Sequence, residues 1–234
     1  MWKDYKEISE ESGFNYRYAA IQDKNCMYLD FREFSDRKKF SALLDSMFTE
    51  MADQGITNLI IDLRNNAGGN SDVGDELLQY LSPVPFQQYG PMTIRYSDHL
   101  RRSYPKWEFS EENGIYHKPA GELIPLRPNP HRFAGKGPVF LLTGKQTFSS
   151  ATDFAWAAQY FGAAKTVGEE TGGWLVCFGD TISFRMPHSG ILYGTSWKKF
   201  YGYGATDAHT HGVLPDYPVA EEDALEHTLQ NLIQ

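Results

Sequence analysis

The chain has 234 residues, enough for one domain or one domain with a small extra lobe. Apolar residues make up 41% and aromatics 15%, which supplies a packed core and excludes a disordered chain. A formal net charge of −8 argues against nucleic acid as the main partner, and no run of about 18 apolar residues exists to span a bilayer.

Residues 1–24 are polar and weakly patterned, a lead-in compatible with the trailing edge of a missing N-terminal domain. The first six residues carry charges and no apolar stretch follows, so this is not a signal peptide. Residues 25–31 are predicted as a strand. A helix is expected over 36–53, where Phe40, Leu43, Leu44, Met47, Phe48 and Met51 recur at helical spacing, with Ser35 as its cap and Gly55 after its end. Residues 58–63 form an apolar run of the buried-parallel type. It ends in a polar turn and the pair Gly68-Gly69, where bare backbone lets another chain segment or an oxyanion approach. Residues 72–81 are predicted as a short helix stopped by Pro83 and Pro85.

From about 87 to 135 the pattern weakens into an irregular insertion rich in proline and aromatics, with one candidate strand at 92–96. A segment of this length is expected to line or cover a site. Regular order returns with a strand at 139–142, a helix at 150–161, a strand at 165–168 and a turn at 171–173. A hairpin is expected over 181–186 and 191–194, and a closing helix over 220–233. Strands alternating with helices predict an α/β fold with a mostly parallel sheet.

The chemistry centres on Ser150, at a strand-to-helix junction. A nucleophilic serine needs a base and donors for a tetrahedral oxyanion. The Ala151 amide at the helix start is one candidate donor, and Gly68 or Gly69 would supply the second if the two turns share one sheet edge. Ser149 or Ser150 could instead serve only to cap the helix. Asp62 and Arg64 read as a pair that fixes the turn. Glu169 and Glu170 are adjacent on a strand and point to opposite faces, so they cannot flank one glycosidic bond. Trp174 and Phe178 are candidates to line a substrate pocket or to join the core. Cys26 and Cys177, the two cysteines, make neither a disulfide framework nor a zinc cage.

Four ordered segments carry a family resemblance. The run 59–69, the stretch Phe148-Ser149-Ser150-Ala151-Thr152-Asp153, the strand and turn 166–173, and the closing Gly212-Val213-Leu214-Pro215-Asp216 together resemble the S41 peptidases. That family includes the tail-specific, C-terminal-processing proteases and a tricorn-like histidine branch. The resemblance runs from about Cys26 to Val219. It implies a ClpP/crotonase-like core of stacked ββα units over 25–234. It also implies Ser150 as nucleophile, a peptide or protein substrate, and cleavage without metal or other cofactor. Relatives suggest a bacterial periplasmic or secreted setting; the oligomeric state stays open.

Two departures stand out. Asp153 replaces the family's usual glutamate, and Gly172-Gly173-Trp174-Leu175-Val176 lacks the lysine of the serine–lysine branch. The base is therefore expected either in a segment missing from a truncated chain or among the seven histidines. Of these, His209 and His211, with Asp207 nearby, precede the closing motif and are candidates for base or orienting group. A non-catalytic, ligand- or peptide-binding module on the same scaffold is the alternative. A crotonase-type acyl-CoA enzyme, which needs no nucleophilic serine, is weaker still.

Overall fold

The computed structural model describes residues 14–109 and 111–233. A six-stranded sheet forms the centre. Its strands are β1 (Tyr16–Ile21), β2 (Cys26–Phe31), β3 (Asn58–Asp62), β6 (Val139–Thr143), β7 (Lys165–Gly168) and β10 (Tyr217–Pro218), adjacent in that order. β1 pairs antiparallel with β2 and every other pair is parallel. The expected α/β architecture with a mostly parallel sheet is thus observed.

Alternation along the strands divides the core. Leu59 and Ile61 of β3 and Leu141 of β6 face one side, packing with Phe40, Leu44, Leu77 and Phe154. The helices on that side are α1 (Arg37–Gln54), α2 (Ser71–Leu81) and α4 (Ser150–Tyr160). Ile60, Phe140, Leu142 and Val167 face the other side, against Leu225 and Leu229 of the C-terminal α5 (Ala224–His227) and its wider continuation over Thr228–Leu232. Both faces of these strands are covered, which is why their sequences read as unbroken apolar runs.

Several boundaries differ from expectation. The cap of α1 is Asp36, whose carboxylate accepts the Lys39 amide at 3.2 Å; Ser35 is engaged by Asn15 instead. Gly55 closes the same helix at φ 67°, a left-handed conformation that glycine adopts without steric cost. Of the lead-in, residues 1–13 lie outside the described residues, while 16–21 form β1. Tyr16, Tyr18 and Ala20 of that strand alternate toward the core, a pattern hidden by its arginine and tyrosines.

The segment over 87–135 is more ordered than its composition indicates. It contains β4 (Tyr89–Tyr96), α3 (Asp98–Ser103) and β5 (Gly114–Lys118). These join β8 (Val176–Arg185) and β9 (Leu192–Gly202) in an antiparallel sheet of order β5-β4-β9-β8. The predicted hairpin is therefore longer than its apolar residues mark. Ile94, Leu100, Ile182 and Trp197 form the small core of this second layer. Among the described residues no helix is long and apolar enough to cross a membrane.

Candidate active site

Two turns meet where β3 and β6 end. The strands are hydrogen-bonded neighbours, Ile61 opposite Leu141 and Asp62 opposite Leu142, so the loops that follow leave the same edge of the sheet. That edge, at the carboxyl ends of parallel strands, is where α/β folds place ligands.

The first turn is held from below. Arg64 makes a forked contact with buried Asp62, at 2.9 Å from Nε and 2.6 Å from Nη2, and its third nitrogen donates to the Glu221 carbonyl at 2.7 Å. Tyr28 donates to the same carboxylate at 2.7 Å. The buried Asn66 side chain donates to the Phe31 carbonyl at 2.7 Å and accepts the Gly68 amide at 2.9 Å. The second turn is laced onto the first. Thr147 Oγ1 donates to the Leu63 carbonyl at 2.8 Å, and the Phe148 amide donates to the Asn66 carbonyl at 2.9 Å.

The fit leaves no room at Gly68. Its φ is 100°, and a Cβ there would stand 2.8 Å from the Phe148 oxygen and 2.9 Å from the Ser150 nitrogen. Ser149 adopts φ 51° and ψ −128°, a sparsely populated conformation for a non-glycine residue. That sharp bend brings Ser150 to the first position of α4, where its Oγ donates to the Gly69 carbonyl at 2.7 Å.

Ser150 is only 4% exposed, yet it borders a cavity of about 1070 Å³. Trp174, Phe178, Lys198, Lys199 and His209 form much of its wall. Both aromatic candidates therefore line it, and Phe178 is 72% exposed. The amides expected as oxyanion donors are not equally free. Gly68 N–H is bonded to Asn66, and Ala151 N–H donates to the Phe148 carbonyl at 3.1 Å. Gly69 N–H has no hydrogen-bond partner among the described residues.

The histidine candidates are placed differently from one another. His209 borders the cavity, but the Thr206 amide donates to its Nδ1 at 3.1 Å. With Nδ1 accepting that amide a neutral ring carries its proton on Nε2; with Nδ1 donating to the Thr206 carbonyl, 3.3 Å away, Nε2 keeps its lone pair. His211 donates from Nδ1 to the Gly212 carbonyl at 2.6 Å, which leaves Nε2 basic, but it does not border the cavity. Asp207 orients neither ring; it binds Lys199 at 2.6 Å and Tyr201 at 2.8 Å.

Sequence reasoning noticed Asp153 only as a departure and missed Tyr89. Asp153 lies one turn after Ser150, on the same helix face, and both border the cavity. The Tyr89 hydroxyl, from β4, donates to Asp153 Oδ2 at 2.9 Å. Burial raises the Asp153 carboxyl to about 7, against a partial opposing effect from the Tyr89 hydroxyl. Burial and the Asp153 charge push the Tyr89 phenol up as well. Cys177, also on the cavity wall, is pushed up to about 12 by burial and then by Asp153. The helical spacing could have found Asp153. Nothing local marks Tyr89, which sits 64 residues away in sequence.

Comparison with known proteins gives the family and the likeness of fold. The family model described as peptidase family S41 matches residues 25–219. Among solved structures, the fold is similar to the photosystem II D1 C-terminal processing protease, with 17% identity and a TM-score of 0.55 over 96% of this chain and 54% of that one. It is also similar to mature CPAF, with 16% identity and a TM-score of 0.58 over 95% of this chain and 54% of that one. A lipoprotein from Streptococcus agalactiae gives 16% identity and a TM-score of 0.54 over 100% and 74%. The chain spans about half the length of the first two.

Proposed function

Because the chain belongs to peptidase family S41, we propose that it is a serine peptidase that cleaves peptide bonds through an acyl-enzyme on Ser150. One observation carries the reading. The Ser150 hydroxyl heads a helix at a strained bend, touches the Gly68-Gly69 turn, and borders a cavity large enough for peptide side chains.

In this mechanism Ser150 Oγ attacks the scissile carbonyl. The Gly69 amide receives the oxyanion, joined by the Ala151 amide once it leaves the Phe148 carbonyl. Collapse expels the amine, and water releases the acyl group. Trp174 and Phe178 take apolar substrate side chains. Digestion of a peptide mixture, followed by mass spectrometry of the products, tests this. Cleavage by the parent chain and none by Ser150→Ala supports it; equal cleavage by both removes it.

The more specific assignment is an endopeptidase of the tail-specific type, acting in the periplasm or outside the cell. Faster cleavage of a peptide with a free carboxyl terminus than of its amide is the expected sign. A second reading has one observation in its favour: the Ser150 proton rests on a backbone carbonyl, and two nearby amides are already bonded. A binding module on this scaffold would hold apolar peptides in the cavity without turnover.

A further inference from the structure

Most charged groups on the cavity wall are paired within it. Lys198 binds Asp180 at 2.6 Å and Lys199 binds Asp207 at 2.6 Å. Asp153 differs. It is 5% exposed, borders the same cavity as Ser150, and has no cationic partner among the described residues. Its Oδ2 accepts the Tyr89 hydroxyl at 2.9 Å. Its Oδ1 has no hydrogen-bond partner among the described residues, yet it is not sealed away from the cavity. Tyr89 thus holds one end of the carboxyl group and leaves the other as an open acceptor.

We infer that Asp153 determines specificity: it accepts a positively charged group, an ammonium or guanidinium, carried by a substrate residue next to the scissile bond. This rests on the peptidase reading, which fixes where that bond lies. Ser150 and Asp153 are three positions apart on α4, a spacing that sets their Cβ atoms about 5–6 Å apart. One substrate residue spans that gap, from the carbonyl under attack to the end of a lysine or arginine side chain. The α-ammonium of an amino-terminal residue offers the same chemistry over a shorter reach. Asp153 takes part in recognition only, and the chemistry at Ser150 is unchanged by it.

The surroundings suit this role. Burial holds the Asp153 carboxyl up at about 7, and Tyr89 offsets only part of that. A cation entering the cavity would pair with the carboxylate and draw it into its charged form. A neutral side chain of the same size would leave Oδ1 unpaired. Among the described residues no group of three His, Cys, Asp or Glu gathers to hold a metal ion, so a substrate cation is the partner this acceptor fits. Trp174 and Phe178 on the wall suit the aliphatic stem of such a side chain. The other titratable or charged groups facing the cavity are Tyr89 on β4, Cys177 and Asp180 on β8, Lys198 and Lys199 on β9, and Asp207 and His209 beyond. Tyr89 and Cys177 are pushed up, away from neutral pH, and both lysines are paired. Preference for a cation should therefore grow as pH rises through 7, with the ionisation of Asp153.

The test is calorimetric binding to the Ser150→Ala chain, where no turnover interferes, at about pH 5.5 and about pH 8. The probes are two acetylated alanine peptides, one with a central lysine and one with its neutral counterpart norleucine. Lysine should be favoured about ten- to a hundredfold at the higher pH and less at the lower. Adding Asp153→Asn should bring the ratio close to one at both, which separates Asp153 from His209. Equal affinities at the higher pH, or no binding of either peptide, would overturn the inference. If Asp153→Asn does not fold, as judged by circular dichroism, the pH dependence of the ratio in the Ser150→Ala chain decides, and a flat ratio overturns it. A norleucine peptide with a free amino terminus that matches the lysine peptide would assign the site to an α-ammonium; weaker binding would assign it to the side chain. The unsubstituted chain checks the underlying reading, through labelling of Ser150 by a fluorophosphonate probe and cleavage beside lysine. Labelling without selectivity for lysine keeps the nucleophile and overturns the inference. Selective binding with neither labelling nor cleavage removes the nucleophile and keeps Asp153 as the cation acceptor of a binding module.

Discussion

The Ser150 hydroxyl donates to the Gly69 carbonyl at 2.7 Å, joining two turns that lie 81 residues apart. This bond exists because β3 and β6 are neighbours in register and because Gly68 has no side chain to hold the turns apart.

Gly68→Ala should therefore separate them. The new Cβ would press on the Phe148 oxygen, the Ser149 Cβ and the Ser150 nitrogen, at a φ that disfavours any side chain. A loss of roughly 2–4 kcal/mol in stability is expected, together with loss of probe labelling at Ser150. Urea unfolding and labelling rates measure the two effects separately.

Asp153 should make stability depend on pH. Folded, its carboxyl holds a proton up to about 7; unfolded, it releases the proton near 3.8. The contribution is fully present below about 4 and is lost as pH rises through 7. Asp153→Asn removes this penalty and still offers Tyr89 an acceptor. The variant should match the parent in stability near pH 4 and exceed it by a few kcal/mol at pH 8. Melting temperatures that differ equally at both pH values would refute the account.

Arg64→Ala should destabilise the chain by about 3 kcal/mol, because it leaves a buried carboxylate whose remaining hydrogen bonds among the described residues come from Tyr28 and the local backbone amide. Arg64→Lys should recover only part of the loss, since an ammonium cannot reproduce the fork or reach the Glu221 carbonyl at the same time. Chemical denaturation of both variants provides the comparison.

Phe178→Ala should change stability by no more than about 0.5 kcal/mol, since the ring is 72% exposed. If the ring holds substrate, KM for apolar peptides should rise several-fold with kcat little changed. An unchanged KM would mean that the aromatic wall does not contact substrate.

His209→Ala should leave labelling of Ser150 by a fluorophosphonate probe within about threefold of the parent when Nδ1 accepts the Thr206 amide, the arrangement that puts the ring proton on Nε2. A loss of about a hundredfold would instead mark it as the base.

Parts of the site were legible because their signals are local. The run 58–63 and its glycine pair announce a buried strand with a close-approach turn, and Ser150 announces the start of a helix. That the two turns share an edge follows from parallel pairing of consecutive α/β units. β4 and β5 were obscured because their sheet has one thin core and much solvent, so polar and proline residues interrupt the apolar alternation. β1 was obscured for a related reason: its inward residues are tyrosines and an alanine, which carry a weak periodic signal.

By itself the sequence determined the burial period of the central parallel strands β2, β3, β6 and β7 and of the helices α1, α2 and α4, the glycine turns and the residue that heads α4, since these follow from side chains and dihedrals a few positions apart. Only the tertiary structure decided that Tyr89 meets Asp153, that Asp207 binds Lys199 in place of a histidine, and that His209 lines the cavity while His211 does not. Those meetings depend on which strands become neighbours and in what register, and that is settled by packing across the whole core.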